Sequence, residues 1–457
     1  MAYPISTSLS HLRRVTKHNV QTLKTAPLTE LSGSFGDLGT LLPLMTALVL
    51  TGSISLTSTL LFTGAANVLT GLAFGIPLPV QPMKAIAAVA IARKFSYEES
   101  AAAGLVVASV VGVFSATGLI SWANRVTPIP VIKGIQVGAG LSLCISAGTS
   151  LLGSLSWTGP CWSDNLLWAL AAAAFLLLTL AYPKLPFALI VFTIGLLLSA
   201  LSLNKLDTSY PDTGRSIPIV HPSGHDFWKA TTTAALGQLP LTMLNSVIAV
   251  AALASDLLPS PHYPPTPSGT AIGTSVTAVN LIGCWFGAMP SCHGSGGLAA
   301  QYRFGARSGS SIIFLGSVKI ILGLISFYHP GPILRVLFNI PKSLLGILVL
   351  AAGVELAKVG EDLNTSARDL RVRNDWDEFA LKAPSEKERK ERWMVMLVTV
   401  ATLLAFKNDA VGFLAGLAWH WGIKVARNIE RRREERGLVV AEERTALLSH
   451  EESDQIA

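Results

Sequence analysis

The chain has 457 residues, of which half are hydrophobic and only 14% are charged, against roughly a quarter in an ordinary soluble protein. These values exclude a solvated globular domain. The spread of apolar segments also excludes a single anchor, since one membrane span needs only about 20 residues. The net charge of +7 lies largely outside the apolar segments, where it indicates membrane topology rather than a nucleic-acid partner. We therefore expect an all-α polytopic protein of the lipid bilayer.

The N-terminal segment and the cysteines exclude further kinds of protein. Residues 1–27 have no apolar run followed by a small-residue cleavage site, so they are predicted to form a cytosolic N-terminal segment rather than a cleaved signal. Only four cysteines occur, which supports neither a disulfide framework nor a Cys-rich metal site. No cofactor is expected.

Apolar runs of span length divide the chain into two halves of seven, joined by a polar linker at 206–227. The first half, residues 28–205, has candidate spans at 28–51, 53–76, 79–93, 99–122, 130–150, 164–182 and 186–203. The second half, residues 228–427, has candidate spans at 228–257, 270–288, 290–304, 308–328, 336–357, 393–406 and 409–427. The third span of each half is short and rich in Gly, Pro and polar residues. Interrupted segments at matching places in two halves are typical of a transporter binding site.

Short motifs repeat in the same order in both halves with a nearly constant offset. Gly36-Asp-Leu matches Gly237-Gln-Leu, and Pro79-Val-Gln matches Pro290-Ser-Cys. Because each half has an odd number of spans, a duplication requires inverted repeats. The Lys and Arg content of the loops favours cytosolic N- and C-termini and places a charged loop, 358–392, in the cytosol. Whether that loop regulates the protein stays open.

Residues 428–457 lack periodic apolar content and are predicted to form a disordered cytosolic tail. Glu443, Leu447 and Leu448 have the spacing of an acidic dileucine sorting signal, which would be read by a sorting adaptor. The predicted localisation is the plasma membrane or a vacuolar or endosomal membrane.

The strongest chemical signal is Met289 to Gly297, followed by an expected helix start. Helix N-termini present unpaired N–H groups and about half a positive charge, which favours a small oxyanion. The candidate ligands are Ser291, Cys292, His293, Gly294, Ser295, Gly296 and Gly297. In the matched third span, Gln81 offers an amide and Lys84 a cation. The alternative is that the glycines only permit tight helix packing.

Three further polar residues, Thr40, Gln238 and Asn245, are candidates to line the same cavity. Asp37 lies in the first span, where a carboxylate is costly and therefore a functional candidate. It either accepts a proton that accompanies the anion or pairs with Lys84 to hold the site together. The residue that matches Asp37 in the second half, Gln238, is neutral and cannot carry a proton in the same way.

His293 has three open interpretations: a ligand contact, a proton acceptor, or a buried hydrogen-bonded histidine. No Cys or His cluster supplies further metal ligands near it, so no metal site is expected. No nucleophile and base pair emerges elsewhere, which argues against an enzyme.

Three motifs together resemble the eukaryotic high-affinity molybdate transporter family, a distant branch of the SulP sulfate permeases. They are Phe35-Gly-Asp-Leu-Gly-Thr40 with Pro43-Leu44, then Gln81-Pro-Met-Lys-Ala-Ile-Ala-Ala88, then Cys292-His-Gly-Ser-Gly-Gly-Leu298 with Gln301-Tyr-Arg-Phe-Gly305 and Arg307-Ser-Gly309. The resemblance covers essentially all fourteen spans. One departure is Ser295, where alanine is common in the family. The 30 residues after Arg427 leave no room for the STAS domain of ordinary SulP proteins.

The resemblance implies a core of spans 1–4 and 8–11 that carries the site, a gate of spans 5–7 and 12–14, an elevator-like motion and a homodimer. The predicted function is secondary transport of molybdate, bound between the N-termini of the third and tenth segments. Two alternatives remain: a sulfate or broader oxyanion permease, and an oxyanion sensor without net flux.

Overall fold

A computed structural model describes residues 5–182, 185–202, 217–260, 262–365, 367–373, 379–381 and 383–454. Within these ranges the chain is mostly helical. Eight helical segments are long and apolar enough to cross a membrane: Pro27–Leu50, Leu56–Phe74, Tyr97–Ala116, Ile129–Leu152, Gly224–Leu257, Gly269–Phe286, Ser310–Tyr328 and Lys342–Asn364. Two shorter apolar helices cover Leu166–Thr179 and Phe187–Leu201. The prediction of a polytopic, all-α membrane protein is confirmed, whereas the count of fourteen spans stays a prediction.

The first half comprises ten helices and one short strand. They are α1 (Ile5–Thr25), α2 (Pro27–Ser34), α3 (Leu38–Leu50), α4 (Leu56–Phe74), β1 (Val80–Pro82), α5 (Lys84–Arg93), α6 (Tyr97–Ala116), α7 (Leu119–Val126), α8 (Ile129–Ser146), α9 (Leu166–Ala181) and α10 (Phe187–Leu201). A π-helical turn, Ala147–Leu152, extends α8.

The second half begins with a longer span. It comprises α11 (Gly224–Ala230), α12 (Leu236–Leu241), α13 (Val250–Leu257), α14 (Gly269–Gly283), β2 (Ser291–His293), α15 (Ser295–Arg303), α16 (Ser310–Tyr328), α17 (Pro330–Phe338), α18 (Lys342–Lys358), β3 (Arg371–Arg373), β4 (Phe379–Leu381), α19 (Glu386–Phe406) and α20 (Asp409–Asp454). Two π-helical stretches, Thr231–Ala235 and Thr242–Ala249, join α11, α12 and α13 into one continuous span.

Hydroxyl and carboxylate caps mark where several helices begin. The Ser55 side chain accepts a hydrogen bond from the Ser58 N–H at the start of α4. Ser96 and Glu99 form a reciprocal capping box at the start of α6. These caps satisfy N–H groups that the helix itself leaves unpaired.

The helices pack as two groups. In one, α4 packs along α16 and α6 packs along α14; in the other, α8 packs against α18 and α19, and α19 packs against α20. Glycines bring α4 and α16 close together: a Cβ on Gly64 would lie 2.9 Å from the Gly316 oxygen, and one on Gly316 would lie 2.6 Å from the Gly64 oxygen. Small residues of this kind allow the close helix contacts common in membrane proteins.

Several predicted spans are interrupted in the structure, among them 28–51, 99–122 and 336–357. The run 28–51 divides into α2 and α3, and a Cβ at Gly36 in the break would lie 2.8 Å from the Ala300 oxygen of α15. The run 336–357 divides into α17 and α18 because Pro341 disfavours helical backbone at the preceding residue.

The regions predicted as linker, loop and tail also differ from expectation. The linker 206–227 falls partly outside the described residues, and its end belongs to α11. The 358–392 loop contains two short 3₁₀ turns and the antiparallel pair β3–β4, and its last residues belong to α19. Residues 428–454, predicted as disordered, continue α20 as a helix; Glu, Arg, Ala and Leu favour helix there and no proline interrupts the segment.

Candidate functional site

The two broken segments, β1 with α5 and β2 with α15, contact each other through their strands. Strands β1 and β2 pair antiparallel, with Val80 opposite His293, Gln81 opposite Cys292 and Pro82 opposite Ser291. Helix α5 begins two residues after β1, and α15 begins two residues after β2. The pairing satisfies backbone groups that would otherwise be unpaired at membrane depth. It also places the N-termini of α5 and α15 at the two ends of one three-residue strand pair.

Two asparagines hold the strands in matching ways. Asn67 of α4 accepts a hydrogen bond from the Val80 N–H at 2.7 Å, and Asn280 of α14 accepts one from the Ser291 N–H at 2.7 Å. The Asn280 amide also donates to the Ser291 carbonyl at 2.5 Å. Both asparagines lie in the second span of their half and bind the first residue of the following strand. Sequence reasoning missed them, although their separation matches the offset of the other repeated motifs.

The N-terminus of α15 retains unpaired donors. Among the described residues, the N–H groups of Ser295 and Gly296 have no acceptor, whereas the Gly297 N–H bonds to the Gly294 carbonyl at 3.1 Å. The Ser295 hydroxyl donates to Asn245 Oδ1, and the Ser246 hydroxyl donates to Cys292 Sγ at 3.1 Å. These contacts join β2 and α15 to the π-helical stretch Thr242–Ala249, a feature often found at functional sites.

Two glycines at the start of α15 lie against the Gln81 side chain. A Cβ at Gly294 would lie 1.8 Å from Gln81 Oε1, and one at Gly297 would lie 2.5 Å from Gln81 Nε2. Gln81 is buried and its side chain covers the start of α15. A larger residue at either position would therefore displace the Gln81 amide from its present position. At Gly296 the neighbour is Leu143 of α8, whose Cδ1 would lie 2.7 Å from a Cβ.

Asp37 belongs to the Gln81 network. Its Oδ1 accepts hydrogen bonds from Gln81 Nε2 and from the Thr40 hydroxyl, the latter at 2.6 Å. Its Oδ2 is buried and has no hydrogen-bond partner. Asp37 has no lysine or arginine nitrogen within 4.0 Å among the described residues, so a direct pair with Lys84 is absent from this structure.

At the start of α5, the Gln238 side chain occupies part of the position predicted for the anion. Its Oε1 accepts hydrogen bonds from the Ala85 N–H at 2.9 Å and the Ile86 N–H at 3.4 Å, and its amide donates to the Thr242 hydroxyl at 2.9 Å. Lys84 is half-buried beside these groups, and Asp409 of α20 lies within its electrostatic range.

His293 is engaged on both ring nitrogens. Nδ1 lies 3.2 Å from the Pro79 carbonyl and Nε2 lies 2.9 Å from the Ser275 hydroxyl. The Phe74 ring packs against it edge-on, with centroids 6.3 Å apart. Of its three interpretations, this geometry favours the buried hydrogen-bonded histidine. Ser291 is also internally bonded, because its hydroxyl donates to the Met289 carbonyl at 2.8 Å.

Lys319 is a buried cation that sequence reasoning missed. It lies in α16, is 4% exposed, and its Nζ is 3.5 Å from the Val80 carbonyl of β1. Asp37 is within its electrostatic range. A charged residue in the apolar run 308–328 was a usable signal, since intramembrane charges are functional candidates by default.

The proposed sorting residues Glu443, Leu447 and Leu448 have side chains outside the described part of the structure, which gives only the helical backbone of α20 there. Their assignment stays a prediction.

Paired broken segments with polar side chains and free helix N–H groups, placed inside an apolar helical protein, are typical of secondary transporters. The fold agrees with that class. The structure is similar to that of SLC26A9, with a TM-score of 0.54 and 18% identity over 89% of this chain and 66% of that one. It is also similar to the murine SLC26A9 anion transporter in an inward-facing state, with a TM-score of 0.54 and 16% identity over 90% of this chain and 71% of that one. At such identities the likeness concerns the fold alone.

Sequence comparison identifies the family. Residues 29–143 and 230–356, one segment in each half, match the family described as molybdate transporter of the MFS superfamily. The chain is 36% identical to Molybdate transporter 2 of Arabidopsis thaliana, over 88% of this chain and 89% of that protein. It is 34% identical to Molybdate transporter 1 of the same plant, over 85% and 86%, and 30% identical to Molybdate transporter 1 of Chlamydomonas reinhardtii, over 85% and 90%. The chain therefore belongs to the molybdate transporter family. Its relatives are transporters, so the prediction that it is not an enzyme is confirmed.

Proposed function

We propose that the chain is a secondary transporter that carries molybdate across a membrane and binds it between the N-termini of α5 and α15. The observation that carries the proposal is the antiparallel pairing of β1 with β2, which places these two helix starts at the two ends of one short strand pair. The family relatives are named for molybdate, which supports the choice of substrate.

The anion would be held by donors that the structure leaves free. The N–H groups of Ser295 and Gly296 and the ammonium of Lys84 supply partial and full positive charge. The Gln81 and Gln238 amides are further candidate donors, although in this structure they donate to Asp37 and to the Thr242 hydroxyl. Because the Gln238 carbonyl oxygen covers the Ala85 N–H, binding at α5 requires this side chain to turn its amide toward the anion. A tetrahedral dianion matches such convergent donors, and cavity size would select molybdate over sulfate.

The architecture we propose has fourteen spans as inverted repeats of seven, with a core of spans 1–4 and 8–11 and a gate of spans 5–7 and 12–14. Support comes from the matched asparagines Asn67 and Asn280 and from the two packing groups, one joining α4, α6, α14 and α16 and the other joining α8, α18, α19 and α20. The proposal also includes an elevator-like movement of core against gate, a homodimer, cytosolic termini and a distant relation to the SulP permeases.

The test is binding and uptake with the purified full-length protein. Calorimetry is expected to give saturable molybdate binding, and Lys84→Ala is expected to weaken it about tenfold or more, since a charge-assisted contact is lost. Arg93→Ala is the matched control, because it removes an exposed cation from the other end of the same helix. Binding of sulfate without molybdate would contradict the substrate assignment. Binding without uptake of labelled molybdate into proteoliposomes would indicate a sensor.

A further inference from the structure

A second polar cavity lies away from the β1–β2 site, where the α7–α8 junction, α19 and α20 meet. Its volume is about 890 Å³. Its charged lining comprises Arg125, Arg392, Lys424 and Arg427, the carboxylates Asp369, Glu388 and Glu391, and the half-buried His420. The proposed transport cycle uses none of these residues.

Ion pairs neutralise only part of this lining. Arg392 binds Asp369, and Arg427 binds Glu391. Arg125 and Lys424 have no carboxylate oxygen within 4.0 Å in the described part of the chain. Two cations therefore remain against a single carboxylate, Glu388.

Arg392 is fixed in the wall of the cavity. The residue is 9% exposed, and its terminal nitrogens bind Asp369 and the Leu363 carbonyl, the latter at 2.7 Å. Its Nε is buried and has no acceptor among the described residues. The guanidinium is therefore held in place beside the two cations that have no carboxylate partner.

The cavity lining also includes exposed apolar side chains. Val126 at the end of α7 is 44% exposed and Trp421 of α20 is 48% exposed, and the Lys424 ammonium lies 4.7 Å from the centre of the Trp421 ring. Tryptophans and lysines in this arrangement are typical of the boundary between the hydrocarbon core and the headgroups.

We propose that the cavity binds the phosphate group of an anionic phospholipid headgroup in the adjacent leaflet. Arg125 and Lys424 face the phosphate oxygens, and the acyl chains lie along Val126 and Trp421. Basic pockets between spans bind anionic headgroups by the same chemistry. Because α8, α19 and α20 all line the cavity, the lipid joins three elements of the second packing group. This site is independent of the proposed molybdate site.

The test uses the full-length protein in detergent and measures binding of dioctanoyl phosphatidic acid by native mass spectrometry and by titration. The double variant Arg125→Ala/Lys424→Ala is expected to weaken binding about tenfold or more. The matched control is Lys387→Ala/Lys390→Ala, which removes two highly exposed cations of α19 that pair with Glu430 and Glu386 outside the cavity. The control is expected to bind the lipid as the wild type does. Molybdate binding is expected to be unchanged in both variants.

Three results would overturn the proposal. The first is equal phosphatidic acid affinity in the cavity variant and the wild type. The second is that dioctanoylglycerol, which has no phosphate, binds as tightly as phosphatidic acid, and the third is that glycerol 3-phosphate does so, which would make the ligand a free phosphate compound. If the double variant does not fold, Glu388→Gln provides a separate measurement. Removing the remaining opposing carboxylate is expected to tighten phosphatidic acid binding severalfold, and an unchanged affinity would also contradict the site.

Discussion

Lys133 of α8 and Asp256 of α13 form a buried ion pair. Lys133 Nζ lies 2.7 Å from Asp256 Oδ2, and the side chains are 4% and 13% exposed. Farther along the same interface, the Gln136 amide donates to the Ala249 carbonyl at 3.0 Å. In the proposed architecture this pair joins gate to core at the cytosolic end of spans 5 and 8, so a movement of core against gate would separate it.

The first prediction concerns this pair. Asp256→Ala leaves the Lys133 charge buried without a partner and is expected to destabilise the protein by about 3–5 kcal/mol. Lys133→Met/Asp256→Leu removes both charges and is expected to restore most of the melting temperature while changing the rate of molybdate uptake. Thermal unfolding and proteoliposome uptake measure the two effects. An uptake rate equal to that of the wild type in the double variant would show that the pair does not hold core and gate together during transport.

The second prediction separates the two roles left open for Asp37. Asp37→Asn keeps an oxygen for the Gln81 and Thr40 hydrogen bonds but cannot exchange a proton at neutral pH. If Asp37 couples protons to the anion, the variant is expected to bind molybdate within about twofold of the wild type, since its neutral hydrogen bonds remain. Its uptake is then expected to be insensitive to an imposed pH gradient. Uptake after a pH jump is the measurement, and a retained pH response would assign Asp37 a structural role.

The third prediction concerns Lys319. Removing this buried cation with Lys319→Met is expected to weaken molybdate binding about tenfold, because the positive charge behind β1 is lost and the Asp37 charge is left less compensated. The double variant Asp37→Asn/Lys319→Met tests the coupling by calorimetry. Recovery of affinity in the double variant would mean that Lys319 acts through Asp37. Additive losses would mean that it acts on the anion directly.

Much of the fold could be predicted from apolar runs and repeated motifs. The run 28–51 corresponds to Pro27–Leu50, and both broken segments lie where their Gly and Pro content placed them. Breaks set by tertiary contact could not be predicted in the same way. The interruption between α2 and α3, for example, accommodates the Ala300 carbonyl of α15, which is distant in sequence.

Within the candidate site, the hydrogen-bond partners were harder to predict than the fold. Gln81 and Thr40 were predicted to bind the anion, and Asp37 to accept a proton or to pair with Lys84. In this structure Asp37 accepts hydrogen bonds from Gln81 and Thr40. His293 lies in the motif that precedes the start of α15, yet its ring packs against Phe74 and hydrogen-bonds to Ser275. The direction of a side chain depends on neighbours that are far apart in sequence. A motif therefore indicates where the site lies, but it does not determine which residue each side chain binds.

The last prediction tests why Gly294 is a glycine. Gly294→Ala puts a Cβ 1.8 Å from the present position of Gln81 Oε1, so the Gln81 side chain must move and lose its bond to Asp37. The variant is expected to lose about 1–3 kcal/mol of stability, the cost of leaving a buried polar group unpaired, together with molybdate binding. Gly237→Ala is the matched control, because its added Cβ meets no atom within 4 Å and a helical alanine is favoured over glycine. Adding Gln81→Ala to Gly294→Ala removes the clash and is expected to recover stability without recovering binding. Recovery of both would mean that Gln81 only fills space and that the anion is held by α15 alone.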